Sequence, residues 1–323
     1  MATPSAIFTE LVSTTFRKHH KEIKDNVSNN NAYLKRLMKD GNMETLDGGT
    51  SIVTTLDYNS NSTYQRYTGL DILDVSESDV ITAAEYQWRQ IALSVVSSGL
   101  QLRVNKGDSQ IIKLAKAKIK NAIRTFKNNS SYDAYSDGTL ANQVNGIQAL
   151  ISDNGLGTVG GIDSSAWAFW HNKVQSAAAP IQGGGAIVPS AATMESLMLP
   201  MWLALTRGDD KPNLIVADNN YFTFYEQSQT SIKRYTSSDE PSGGFMSLKY
   251  KGADVIFDGG SGIPLNRMYF MNMDYMGLSV HEDANLTVMD EAKPFNQDGA
   301  VVPIMWMGNL TCSNRALQGV VKP

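Results

Sequence analysis

Five places in this 323-residue chain hold residue types that could do chemistry. Gly155-Leu-Gly-Thr-Val-Gly160 spells a dinucleotide fingerprint, in which glycines let the backbone approach a pyrophosphate at the start of a helix. That chemistry needs the helix to open inside the glycine loop. Here Gly160-Gly161 prolongs the turn, and the next helix is expected only after Asp163. His281-Glu-Asp283 sets an imidazole beside two carboxylates, but alternation at a strand end sends neighbouring side chains to opposite faces, so a turn is expected rather than a metal site. His171, between Trp170 and Asn172, is the other imidazole in polar company, while His19 and His20 read as solvated members of a basic segment. The single cysteine, Cys312, has no base nearby in sequence and reads as a small buried apolar residue. No GxSxG, HExxH, GxxxxGKS or CxxC occurs, so no enzyme activity and no cofactor is expected.

The fifth place is a charged surface. Over residues 108–127 the period is helical: Ile111, Ala115, Ile119, Ala122 and Phe126 share one face, and Lys113, Lys116, Lys120, Arg124 and Lys127 converge on the other. Lys118 is the exception, and residues 109–127 contain no acidic side chain. Such a stripe can attract phosphate by counterion release without reading sequence, or it can pair with carboxylates elsewhere in the fold.

Composition sets the frame for these elements. Hydrophobic residues make up 42% and charged residues 19%, a folded chain with length enough for about two domains. The net charge of -4 gives no global attraction to nucleic acid, so that role falls to the local stripe. One cysteine allows no internal disulfide, and no apolar run reaches the ~20 residues of a membrane span. Synthesis in a cytoplasm is expected.

Residues 7–23 carry Phe8, Val12 and Phe16 at helical spacing, and the first 47 residues read as an arm with little core of its own. Residues 51–58 and 63–68, rich in β-branched and aromatic types around Asn59-Ser-Asn-Ser62, predict a polar β-hairpin. With few aliphatic side chains, such a ribbon is expected to lie on another molecule. Residues 80–96 alternate as one long strand. Further on, residues 167–172 and 191–206 are helical candidates, the latter kinked or broken at Pro200. Residues 212–217 predict a buried strand, Asp218 a cap for a helix at 221–229, and residues 249–257, 268–273, 277–281, 286–289 and 301–313 further sheet.

In this order, an arm, a polar hairpin, a strand and a basic helix resemble the tailed-bacteriophage major capsid proteins of the Hong Kong 97 type. The phrases that carry the likeness include residues 70–75 with Ile81-Thr-Ala-Ala-Glu-Tyr-Gln-Trp88, residues 155–167, residues 213–222, and residues 252–258 followed by Ile263-Pro264. The resemblance implies an α+β capsid fold with an N-terminal arm (1–47), an extended hairpin loop (48–96), a peripheral domain with a spine helix (97–139), an axial domain (140–275) and return strands to the peripheral domain (276–323). It also implies a non-enzymatic shell protein that assembles into pentamers and hexamers of an icosahedral head in a bacterial host's cytoplasm, with no membrane partner.

Tyr58, Tyr64, Arg66 and Tyr67 are the loop residues expected between subunits, and Lys113, Lys116, Lys120, Arg124 and Lys127 those facing packaged double-stranded DNA. The implied partners are a separate scaffolding protein and a portal at one vertex, with room for a decoration protein outside. Residues 48–88 contain no lysine, so the lysine–asparagine cross-link of some relatives is not expected. An encapsulin-type compartment is the alternative shell. From another class, the alternative is a nucleotide-dependent α/β enzyme built on residues 155–160 and Asp218.

Overall fold

The computed structural model describes residues 31–39, 41–104, 108–230, 247–258, 262–290, 292–293 and 295–323. The helix expected at 7–23, with His19 and His20, lies outside them. The described strands are β1 (Met43–Leu46), β2 (Ile52–Asp57), β3 (Ile81–Tyr86), β4 (Arg89–Ser98), β5 (Thr158–Val159), β6 (Ile162–Asp163) and β7 (Lys173–Ser176). They continue as β8 (Leu214–Ala217), β9 (Ser247–Tyr250), β10 (Ala253–Phe257), β11 (Met268–Met271), β12 (Met276–Val288), β13 (Gly299–Cys312) and β14 (Gly319–Lys322). Helices and mixed sheets together make an α+β fold.

Two larger sheets organise the chain. The first has the order β1-β12-β13-β4, with β1 parallel to β12 and the other pairs antiparallel. The long helix Asp108–Asp133 packs on it through Ile119, Ala122 and Phe126, the apolar face expected from their spacing. Lys118, the residue out of place in the basic stripe, turns out to be a clamp. Its Nζ donates to Val96 O (2.5 Å), Ser97 Oγ (3.2 Å) and Gln101 Oε1 (2.8 Å), and loss of hydration lowers its pKa.

The helix also runs past residue 127, where the expected helical period ends, to Asp133. Ser131, Ala134 and Tyr135 are buried there, with the Tyr135 ring 6.4 Å from Tyr33. Tyr33, Leu34 and Leu37 of helix Ala32–Lys39 are buried too, and the helix is capped by Asn31 Oδ1 accepting from Leu34 N at 3.1 Å. Helix Ala32–Lys39 thus contributes Tyr33, Leu34 and Leu37 to the core, although residues 1–47 were expected to have little core of their own.

The second sheet has the order β7-β14-β11-β8-β10-β9 and is covered on both faces. Leu214, Val216, Tyr269, Met271 and Val320 face the core shared with the first sheet, while Ile215, Ala217, Met268, Phe270 and Val321 face helices Met194–Leu205 and Asn219–Thr230. Burial on both faces is why β8 reads as an unbroken apolar run. Its last strand, β14, departs from the expected division at residue 276: the chain returns to the first sheet in β12 and β13, then ends inside the second. Pro200 does not break its helix, which runs as one element from Met194 to Leu205. The carbonyl it cannot bond, that of Ser196, accepts from Gln182 Nε2 at 3.2 Å instead.

Residues 167–172 hold only a short 3-10 turn, Ala168–Trp170, and residues 249–257 are two strands, β9 and β10, folded back at Lys251-Gly252. Arg315, fully buried, organises this region, and among the described residues it has no carboxylate partner. Its Nε donates to Leu150 O (2.7 Å), Nη1 to Trp170 O (3.1 Å), and Nη2 to Asn172 Oδ1 (2.8 Å) and Ser152 Oγ (3.3 Å). One guanidinium fork therefore joins the C-terminal turn to both ends of the segment 150–172.

Two substitutions test this framework. Arg315→Lys keeps the charge but loses the fork, and is expected to lower unfolding stability by about 2–4 kcal/mol in denaturant titration, with faster amide exchange across 150–172. Tyr86→Phe removes the hydroxyl that donates to Cys312 O (2.7 Å) and accepts from Cys312 N (3.2 Å), at an expected cost of ~1–2 kcal/mol in the same measurement.

Candidate functional site

The extended hairpin is built differently from the sequence expectation. Its strands are β2 and β3, paired from Ile52↔Tyr86 to Asp57↔Ile81, and residues 63–68 form no strand. The pairing that wins buries Ile52, Leu56, Ala84 and Tyr86 on one face, whereas residues 63–68 have no aliphatic side chain to bury. The expected long strand 80–96 breaks at Gln87-Trp88, where Gln87 O accepts from Asn309 Nδ2 (2.8 Å), so β3 and β4 enter different sheets.

The base of this hairpin does have support within its own chain. Gly160 and Gly161, with φ of 59° and 74°, form the tight turn between β5 and β6, a conformation that glycine adopts without strain. Gly160 O accepts from Glu85 N at 2.9 Å, and a Cβ at Gly160 would lie 2.8 Å from the Ala84 Cβ. Gly160, the last glycine of residues 155–160, therefore admits the neighbouring strand β3, and the segment runs into a β-turn rather than a helix. Nor is Asp218 free for a ligand: Oδ1 accepts from Tyr221 N (3.0 Å), capping the helix as expected, and Oδ2 from Asn266 N (2.8 Å).

Beyond the base, residues 58–80 form a tip held by local polar contacts. Ser62 and Ser78 hydroxyls lie 2.6 Å apart, Gln65 Nε2 donates to Ile72 O (3.1 Å), and Asp71 Oδ2 accepts from Thr68 N (2.8 Å). The aliphatic side chains of this tip face water: Leu70 is 101% exposed, Ile72 93% and Val75 90%, with Leu73 half exposed. Tyr64, Arg66 and Tyr67 are exposed beside them. Tyr58 stands apart, half-buried on its own chain's Phe169 and Trp167, with ring centroids at 5.3 and 5.9 Å. The aliphatic quartet was not among the loop residues expected between subunits. Its signal was a short run of four aliphatic residues interrupted by Asp71 and Asp74.

On the long helix, Lys120 and Arg124 are exposed, and among the described residues neither has an ion-pair partner. The side chains of Lys113, Lys116 and Lys127 lie outside the described part. The imidazoles are held structurally: His171 Nε2 lies 2.5 Å from Ser164 O, and His281 Nδ1 accepts from Asp283 N (3.2 Å) with its ring against Trp88. His281 and its acidic neighbours lie in an irregular part of β12 rather than in a turn. Cys312 is fully buried, and burial pushes its thiol pKa up to about 12. Among the described residues no group of three or more histidine, cysteine, aspartate or glutamate side chains is placed to hold a metal, and no helix is long and apolar enough to cross a membrane.

No family model and no curated protein matches this sequence. Solved structures do. The chain is similar to a subunit of the cyanophage A-1(L) capsid, with a TM-score of 0.58 at 13% identity over 87% of this chain and 90% of that one. It is similar also to the capsid protein of an empty GTA particle, with a TM-score of 0.57 at 13% identity over 88% and 89%. For the capsid of Myoviridae phage XM1 the TM-score is 0.52 at 9% identity over 88% and 90%. At such identities the likeness is one of backbone path, and it extends over nearly the whole of each chain. An extended hairpin, a long helix on a four-stranded sheet and a six-stranded sheet with two helices on one face thus make up a Hong Kong 97-like capsid fold.

Proposed function

We propose that this chain is the major capsid protein of a tailed phage, a non-enzymatic subunit that forms pentamers and hexamers of an icosahedral head around double-stranded DNA. The observation that carries this reading is the tip of the hairpin. Four aliphatic side chains stand in water on a rooted, locally ordered loop, and exposed apolar surface of this kind marks an interaction site. Burying each is worth roughly 1.5–3 kcal/mol, a gain repeated at every subunit of a closed ring and set against the freedom lost on association. Head-to-tail contacts between a tip and a neighbour's body are heterologous, and rings follow when the rotation closes.

Within this reading, residues 1–47 act as the arm, 48–96 as the extended loop, 97–139 with 276–323 as the peripheral domain, and 140–275 as the axial domain, with β14 contributing to the last. Tyr64, Arg66 and Tyr67 accompany the aliphatic quartet into the subunit interface, and Tyr58 braces the loop at its root. The stripe of Lys113, Lys116, Lys120, Arg124 and Lys127 faces the packaged DNA, supported by the free cations of Lys120 and Arg124. A separate scaffolding protein, a portal at one vertex and an outer decoration protein complete the partners, and assembly takes place in the bacterial cytoplasm.

Negative-stain microscopy of the purified chain, alone and across salt and crowding conditions, is expected to show rings, tubes or shells; a monomer under every condition tells against a shell protein. Nucleic acid rather than protein cargo inside particles isolated from the host separates the phage head from an encapsulin-type compartment. Charge reversal of Lys113, Lys116 and Lys120 to glutamate is expected to leave empty particles intact while lowering DNA retention severalfold, measured by nuclease-protected DNA per particle.

A further inference from the structure

The sequence contains two Asn-Gly pairs, Asn145-Gly146 and Asn154-Gly155, and neither has a part in the shell reading. At such a pair a backbone amide readily attacks the preceding side chain, because glycine puts no Cβ in the way of ring closure. The fold treats the two pairs in opposite ways. Asn145 is half-buried, and its N–H donates to Asn309 Oδ1 at 2.9 Å. Gly146 is so tightly packed that a Cβ there would lie 2.1 Å from Ser136 N and 2.5 Å from Asp133 O. The next amide, Ile147 N, donates to Ala134 O at 2.8 Å. Rotation of the Asn145-Gly146 peptide therefore has to open these contacts. Asn154, by contrast, is exposed on the loop between Leu150 and β5. Its side chain already folds over its own backbone: Oδ1 accepts from Leu156 N at 3.0 Å, which brings Cγ round toward the Gly155 nitrogen between them. The same donor faces the oxygen on which negative charge develops when that nitrogen adds to Cγ. Gly155 takes a φ of 75°, and its N–H donates to Ser152 O at 3.2 Å, the long end of the hydrogen-bond range.

We infer that Asn154 is a site of spontaneous modification in the folded chain, with water as the only co-reactant. The Gly155 nitrogen bonds to Asn154 Cγ and gives up its proton, the side-chain amide leaves as ammonia, and a succinimide closes. Water then opens the ring. Breaking the bond from nitrogen to Cγ gives aspartate; breaking the bond from nitrogen to the main-chain carbonyl carbon gives isoaspartate, whose main chain is one carbon longer. Either product adds a negative charge next to Asp153, whose Oδ2 accepts from Arg267 Nε and Nη2 at 3.0 and 2.7 Å. The longer main chain of isoaspartate falls two residues from Ser152, which Arg315 holds. The modification thus accumulates with age in the segment that positions the root of the hairpin, and it needs nothing from a second copy.

Ageing of the purified full-length chain in warm, mildly alkaline buffer tests the assignment. Peptide mapping with electron-based fragmentation tells asparagine, aspartate and isoaspartate apart at each position. In the folded chain Asn154 is expected to convert faster than Asn145 by about tenfold or more, since the packed pair must first open locally. In denaturant at the same pH, where both are plain Asn-Gly pairs, the two rates are expected to converge. Equal rates in the folded chain, a preference for Asn154 that persists unchanged in denaturant, or folding that slows Asn154 as strongly as Asn145 each overturn the assignment. None of these outcomes bears on the shell reading, which assembly alone decides.

Discussion

The contact of β3 with Gly160 is the constraint on which the projecting part of this molecule depends. Glu85 N reaches the Gly160 carbonyl at 2.9 Å only because position 160 has no Cβ, and the same approach lets Ala84 and Tyr86 bury against the body. Tyr86 then crosses to the backbone of Cys312 on β13. Two secondary structures distant in sequence are thereby pinned at one point. A ribbon of two strands is marginal by itself, but one with its root in a packed core can hold a polar tip away from that core. The tip needs no interior: serine, threonine and aspartate contacts order it locally, and its aliphatic groups remain available for another surface.

Behind that contact stands Arg315. A buried guanidinium without a carboxylate is held when its donors find neutral acceptors, and here backbone carbonyls at Leu150 and Trp170, with Asn172 and Ser152, supply them. The glycine turn sits between those carbonyls in sequence. Its placement is therefore set by the C-terminal turn of the chain, and β14 continues from there into the six-stranded sheet. The last residues of the sequence and the segment that roots the hairpin are one mechanical unit.

Much of the interior could be read from residue order because burial imposes a period on the sequence. The apolar face of the long helix, the buried strand Leu214–Ala217 and the Asp218 cap each carry a local signature, and each occurs where its signature lies. The hairpin was legible as a hairpin, but its second strand was not. Residues 63–68 and 81–86 both have strand-like composition, and only the partner face, with Ile52 and Leu56 requiring Ala84 and Tyr86 opposite, chooses between them. Similarly, the helical period sets Lys118 apart from the stripe, but its partners, Val96 O and Ser97 Oγ on β4, appear only in the tertiary structure.

The sequence by itself determined that this is a folded α+β chain, that no familiar catalytic motif is spelled out in it, and that a cationic helix and a coreless polar ribbon follow one another. These are properties of composition and of periods of two and 3.6 residues, which neighbours along the chain suffice to define. Tertiary structure alone decided which strand closes the hairpin, that a fingerprint-like glycine run serves close backbone approach, and that Arg315 ties the chain's end to that run. Each of these joins residues far apart in sequence through atoms a few ångströms apart in space, and such a distance has no expression in the local order of residues.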